Sequence, residues 1–157
     1  MEIKLATSQD CHELSIMTGE LLQEIMDRIN IKVFKFNKDE TEQRARDLIS
    51  ANKYFVFVAL RDNEYVGFVS IYESYALYAE GAYGTIPELY VRATHRSLRT
   101  GEMLLKAVKE FANTKGWERL EVTTPPLPEF DRTLSFYEKN GFEISGGRKL
   151  KKEVQDV

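Results

Sequence analysis

The sequence predicts a mixed α/β fold, with one central sheet covered by helices on both faces. Three observations carry that prediction. The run Tyr54-Phe-Val-Phe-Val-Ala-Leu60 is almost wholly apolar and rich in strand-forming residues, as a central strand should be. Strand-like runs alternate with segments whose apolar residues recur at three- and four-residue steps, the spacing of a helix face. Turn signals fall between them, at Asp62-Asn63, Lys115-Gly116, Pro125-Pro126 and Asn140-Gly141.

Glu2 to Ala6 alternates polar and apolar, a short half-buried strand. Thr7 and Ser8 suit the cap of a helix with its apolar stripe at Leu14, Met17, Leu21, Leu22, Ile25, Met26 and Ile29. Gly19 falls inside that helix and predicts an interruption. After a loop carrying Phe34 and Phe36, Asn37-Lys-Asp-Glu40 matches a capping box and opens a helix to about Ala51. The apolar strand follows, paired through Asp62-Asn63 with Tyr65 to Tyr72 in a hairpin. Glu73 to Gly84 is ambiguous between strand and loop, and a further strand is expected over Thr85 to Val91. The next helix should bury Met103, Leu104, Ala107, Val108, Phe111 and Ala112, and stop at Gly116. Leu120 to Thr124 reads as a strand cut off by prolines, and Glu129 to Asn140 as a helix. Phe142 to Ile144 and Arg148 to Glu153 complete the prediction as a terminal hairpin.

The chain has 157 residues, enough for one domain with a substantial core. A net charge of -3 argues against nucleic acid as the main partner, because binding phosphates needs concentrated Lys and Arg. The single cysteine, Cys11, rules out an internal disulfide, fits a reducing compartment, and reads as a small core residue. No apolar run is long enough to span a membrane and no leader pattern is visible, so the expected location is cytoplasmic.

One stretch holds the chemistry. Glu88-Leu-Tyr-Val91 is a strand end, Arg92 to Arg99 is polar and basic, and Thr100-Gly101-Glu102 opens an amphipathic helix. A helix start offers unpaired N–H groups and partial positive charge, the environment a phosphorylated ligand needs. Leu89-Tyr90-Val91, Arg96-Ser-Leu-Arg99-Thr-Gly101 and Ser135-Phe-Tyr-Glu-Lys-Asn-Gly-Phe142, in this order of elements, resemble the GNAT superfamily of acyl-CoA-dependent N-acetyltransferases. The resemblance covers the whole chain, 1–157, as a single N-acetyltransferase domain. It implies a mostly antiparallel twisted sheet of about seven strands, splayed between the fourth and fifth, with helices on both faces.

What the resemblance implies for the residues follows the motifs. Arg96, Ser97, Leu98, Arg99, Thr100, Gly101 and Glu102 would hold the pyrophosphate of acetyl-CoA through backbone donors. Arg99 stands where the superfamily usually has its first loop glycine. If that position requires a positive φ, arginine is strained there; if it does not, the guanidinium adds a phosphate contact, and the second reading is favoured. Leu89, Tyr90 and Val91 would pair with the pantetheine arm, the Leu89 N–H would polarise the thioester, and Thr124 would lie on the opposite wall with Phe136 and Tyr137. Phe130 replaces an asparagine common in the superfamily, so one coenzyme contact is missing or differently supplied.

Glu88 is placed to take a proton from the incoming amine, although a structural glutamate is the alternative. Tyr137, with an ordinary pKa of about 10 close to that of a thiol, would protonate the leaving thiolate. Phe34, Tyr72, Glu73 and Tyr83 flank the expected acceptor cleft. The reading is acetyl transfer to a primary amine of a small molecule or peptide by direct attack, with no metal. Two rivals remain: a non-catalytic acyl-CoA sensor, and a toxin that acetylates aminoacyl-tRNA. Pairing of edge strands into homodimers is common in the superfamily.

Overall fold

The computed structural model describes residues 1–155. Its elements, in order, are β1 (Glu2–Leu5), α1 (Cys11–Ile29), α2 (Lys38–Ser50), β2 (Phe55–Arg61), β3 (Glu64–Ser74), β4 (Tyr83–Ile86), β5 (Leu89–Val91), α3 (Thr100–Lys115), β6 (Leu120–Val122) and α4 (Asp131–Lys139). The sheet runs β1-β2-β3-β4-β6, with β5 also paired to β3. All pairings are antiparallel except β4 with β6.

Local sequence explains most boundaries. The Asp62-Asn63 turn places both residues at positive φ, 52° and 64°, as a two-residue hairpin loop with matching twist demands. Thr7 caps a single 3₁₀ turn, Ser8–Asp10, and α1 starts one residue after it. Asn37 caps α2 by accepting from the Glu40 N–H at 2.9 Å, while the return bond expected from Glu40 is not formed. Gly116 ends α3 at φ 73°.

Two hydrophobic clusters lie on opposite faces of the sheet. Val69, Ile71, Ile86, Val91, Leu104, Val108 and Tyr137 belong to the first, beneath α3 and α4. Leu14, Met17, Val56, Val58, Phe68 and Tyr90 belong to the second, beneath α1. The alternation of strand residues sorts them, since neighbours along a strand point to opposite faces.

Several expectations need correction. Gly19 does not interrupt α1; a Cβ there would come within 2.6 Å of the Phe36 ring, so the glycine makes room for a loop aromatic. Met103 is 39% exposed and Leu105 takes its place on the buried face of α3. The strand expected over Thr85 to Val91 is two strands broken at Pro87-Glu88, for a reason given below. Six strands form instead of about seven, and no strand occurs after α4 among the described residues. Phe142 packs on Tyr137, but Ile144, Leu150 and Val154 remain 73%, 91% and 95% exposed. From Arg148 to Glu153 four of six residues are lysine or arginine and only Leu150 is apolar, so a strand there would have little apolar surface to bury.

The cross-strand packing at Gly67 yields a prediction. A Cβ at that position would sit 2.6 Å from the backbone oxygen of Tyr90, which has no flexible end to yield. Gly67→Ala should therefore lose roughly 1–3 kcal/mol in urea unfolding. Gly19→Ala should cost less, because only a ring at the surface must move.

Candidate active site

The strand break is a bulge. Tyr72 of β3 faces Thr85, and Val69 faces Leu89, so three steps along β3 are matched by four on the partner. The extra residue lies at Pro87-Glu88, where proline has no N–H to give to a ladder. Beyond the bulge, β6 no longer pairs: it bonds to β4 only through Leu120–Val122, opposite Gly84–Ile86. Pro125 and Pro126 then carry the chain away, with Thr124 half-buried at the turn.

This leaves one edge of β5 open. The Ser70 N–H donates to the Glu88 oxygen at 2.9 Å and the Arg92 N–H to the Val66 oxygen at 2.8 Å. Since hydrogen-bonded residues alternate in an antiparallel pair, Tyr90 bonds to β3, and Leu89 and Val91 direct their backbone groups outward. Their side chains join the cluster that contains Tyr137, so the α4 tyrosine lies over the face of the sheet on which these two side chains point.

The basic loop that follows divides its work. Arg92 grips Glu20 with Nε and a terminal nitrogen at 3.0 and 3.1 Å, and donates to the Tyr65 carbonyl at 2.8 Å. Arg96 reaches back to the Val91 carbonyl at 2.8 Å and across to Glu24 at 2.7 Å, with its guanidinium 5.8 Å from the Tyr90 ring centre. Both side chains thus fasten the loop to α1. Ser97 and Arg99 have φ of 70° and 65°. The backbone N–H groups from Ser97 to Glu102 make no close, well-aligned hydrogen bond to a described residue. Left-handed residues ahead of a helix start turn successive N–H groups to one side, an arrangement suited to an anion.

Arg99 resolves against the favoured reading of its backbone. The position does take a positive φ, and its exposed guanidinium is paired with Glu102 at 3.0 Å. Gly101 has a different constraint: an added Cβ would lie 3.0 Å from the Phe136 ring, so glycine lets α3 approach α4 closely. Leu98 is exposed and Thr100 is buried, its hydroxyl 3.5 Å from the His95 carbonyl oxygen.

Tyr137 is 5% exposed, with Phe136 and Phe142 at 5.4 Å on either side. Its hydroxyl makes no hydrogen bond to any described residue, and burial pushes its pKa up to about 12. It is therefore a weaker acid in the free protein than its ordinary value of about 10 suggests. Glu88 lies at the bulge, and its Oε1 accepts from the Tyr54 hydroxyl at 2.7 Å and from Ser70.

The expected acceptor residues separate. Tyr72 lies on the face of Glu88, stacked on Tyr54 with centroids 6.1 Å apart. Glu73 turns the other way to the Trp117 indole N–H at 2.5 Å and to Tyr75. Tyr83 is buried beneath the Arg119 guanidinium, 4.3 Å from its ring centre, and Phe34 sits at the surface of the α1–α2 loop. Phe130 is buried under Arg28. The sequence reading missed Tyr54 and Ser70, whose type and spacing are ordinary for strands. Cys11 is fully buried, and burial pushes its thiol up, as suits a core residue. Among the described residues no helix is long and apolar enough to cross a membrane, and no cluster of metal-ligating side chains forms.

Comparison with known proteins decides the family. Residues 20–142 match the acetyltransferase (GNAT) family. The chain belongs to that family. It is an acetyltransferase by that membership. Among curated relatives, aminoalkylphosphonate N-acetyltransferase of Salmonella typhimurium is 28% identical over 123 residues, covering 78% of this chain and 73% of that protein. Among solved folds, aminoglycoside N-acetyltransferase AAC(6')-Iy in complex with CoA has TM-score 0.79 at 15% identity, covering 98% of this chain and 94% of that one. A protein of Clostridium acetobutylicum described as a predicted acetyltransferase, with acetyl-CoA, has TM-score 0.79 at 15% identity, covering 96% and 95%. These structures share the fold with this chain.

Two predictions come from these environments. Arg99→Gly should raise the melting temperature by about 2–4 °C, since glycine accepts positive φ freely, whereas β-branched Arg99→Val should lower it. The second concerns alkaline stability. Tyr137 and Tyr90, by burial first, and Tyr65, by its bond to Asp10 first, are all pushed to about 12. The unfolded chain releases these protons near pH 10 and the folded chain near pH 12, so the folded state binds more protons in between. Stability should be flat in this respect below about pH 10 and fall as pH rises towards 12, less steeply in Tyr137→Phe, as measured by urea unfolding at stepped pH.

Proposed function

We propose that this GNAT protein transfers the acetyl group of acetyl-CoA to a primary amine by direct attack within a ternary complex. The open edge of β5 carries the reading, because a ligand with amide groups can complete it as a strand would. Leu89 and Val91 bond the pantetheine arm, and the Leu89 N–H donates to the thioester oxygen as negative charge develops there. The unbonded N–H groups of Ser97 to Glu102 receive the pyrophosphate. Arg96 acts from behind by holding the loop, and Thr124, Phe136 and Tyr137 line the opposite side.

Acetyl-CoA supplies an acyl group activated as a thioester. The amine nitrogen forms a bond to the carbonyl carbon and the carbon–sulfur bond breaks. Glu88 takes the amine proton, directly or through water, and Tyr137 gives its proton to the sulfur. The raised pKa of Tyr137 suits this role, since the apolar surroundings that weaken the tyrosine as an acid also strengthen a thiolate as a base. Buried Cys11 is no covalent relay. The curated relative's name points to a small amine as acceptor, and Tyr72, stacked on the Tyr54 that bonds Glu88, would meet it.

Titration calorimetry tests the first step: acetyl-CoA should bind, and no heat at millimolar coenzyme would overturn the reading. Free-thiol release with a panel of amines tests the second. Coenzyme binding without turnover on any amine would favour the sensor instead. Tyr137→Phe should lower kcat by roughly 100-fold or more and leave the affinity for acetyl-CoA within about twofold.

A further inference from the structure

We infer that Tyr54 is a positioning residue for the reaction, its hydroxyl fixing one oxygen of the Glu88 carboxyl so that the other is presented to the amine. The inference rests on the reading of Glu88 as the proton acceptor. The two oxygens of that carboxyl are treated differently. Oε1 accepts from Tyr54 at 2.7 Å and from Ser70, while Oε2 has no hydrogen bond among the described residues. The terminal torsion of a glutamate is soft, so an unrestrained carboxyl would present either oxygen over a broad range of angles. Two donors from different segments, Ser70 in β3 and Tyr54 just before β2, on one oxygen remove that freedom and leave the lone pairs of the second available.

Ser70 and Tyr54 contribute in different ways. Ser70 is part of the strand pairing: its N–H donates to the Glu88 carbonyl at 2.9 Å, and its Oγ accepts from the Glu88 N–H at 3.1 Å. It therefore fixes the backbone at the bulge as well as the side chain. Tyr54 bonds to the side chain alone, from the residue before β2, reaching over β3 to do so. Its ring lies nearly parallel to that of Tyr72, 14° between planes, which sets the direction of the hydroxyl. Burial, then the charge of Glu88, push the Tyr54 phenol well above the ordinary tyrosine range, so it stays a donor at any working pH. Phenylalanine would fill the same place in the apolar cluster; what the hydroxyl adds is the bond to Glu88.

Steady-state kinetics of Tyr54→Phe, Glu88→Gln and the double variant, with saturating acetyl-CoA and a productive amine, test the inference. Tyr54→Phe should lower kcat by about tenfold and leave the KM for acetyl-CoA unchanged. In the Glu88→Gln background the same change should have almost no further effect, because there is no carboxylate left to orient. An equal loss in both backgrounds would make Tyr54 a structural residue and overturn the inference. So would an unchanged kcat for Tyr54→Phe beside a slowed Glu88→Gln. Full activity of Glu88→Gln is a separate outcome: it removes the base assignment itself, and the role of Tyr54 with it. Melting curves set the assay temperature below the transition of the least stable variant, so the ratios compare folded proteins.

Discussion

The structure depends on one extra residue between β4 and β5. A strand pairing that held its register from Thr85 to Val91 would let β6 run alongside the whole length and close the sheet. The bulge at Pro87-Glu88 stops that. Proline withholds a donor and the additional residue turns the strand, so β4 stays with β6 while β5 stays with β3 alone. An open strand edge in a sheet interior is costly unless something bonds to it, since each buried backbone group without a partner costs about 1–3 kcal/mol. In an enzyme that cost has a use: the edge becomes a template for an amide-bearing ligand. The same bulge puts the Glu88 side chain beside Tyr54, Ser70 and Tyr72, on the face opposite Tyr137. One backbone irregularity thus separates the proposed proton acceptor from the proposed proton donor and leaves the open edge between them.

The loop after β5 meets a conflicting demand. It must hold its backbone in left-handed conformations at Ser97 and Arg99 without glycine, and keep its N–H groups free of internal acceptors. Past its short turn at Ala93–His95 the loop has few internal bonds and needs external restraint. Arg92 and Arg96 supply it from the loop side, Glu20 and Glu24 from α1, and the Val91 carbonyl from the strand. These pairs are only partly exposed, Arg92 holds Glu20 with two bonds, and each arginine also bonds a backbone carbonyl, so they restrain geometry better than isolated surface pairs do. The arginines most suggestive of direct phosphate binding are thus occupied in orienting the backbone proposed to do it.

How much of this was legible in the sequence follows from the range over which each signal acts. Helices were readable because their periodicity and caps are local: Asn37, Gly116 and the stripe from Leu14 all behave as their neighbours dictate. The buried β2 and its hairpin were readable for the same reason. Gly19 misled because its purpose is a contact with Phe36, seventeen positions away, which no helix propensity contains. The expected terminal hairpin does not form among the described residues, because too few apolar residues lie in its two arms to pay for strands. At the site, Glu88, the β5 edge, the loop and Tyr137 came from motif and resemblance. Tyr54 and Ser70 did not, because a tyrosine opening one strand and a serine inside the next gain meaning only when antiparallel pairing sets them over Glu88.

Arg99 shows where such reading stops and geometry must take over. From its type, a guanidinium near a phosphate site suggests a direct contact. Its backbone is left-handed, and its side chain lies along the first turn of α3 on Glu102. That pairing leaves the N–H groups of the turn uncovered, and it partly offsets the Glu102 carboxylate, which would repel a phosphate from the helix start. Strain in the backbone and compensation by the side chain then act at one residue. A glycine there would remove the first but also the second, which is why loop geometry and loop electrostatics need not favour the same residue at this position.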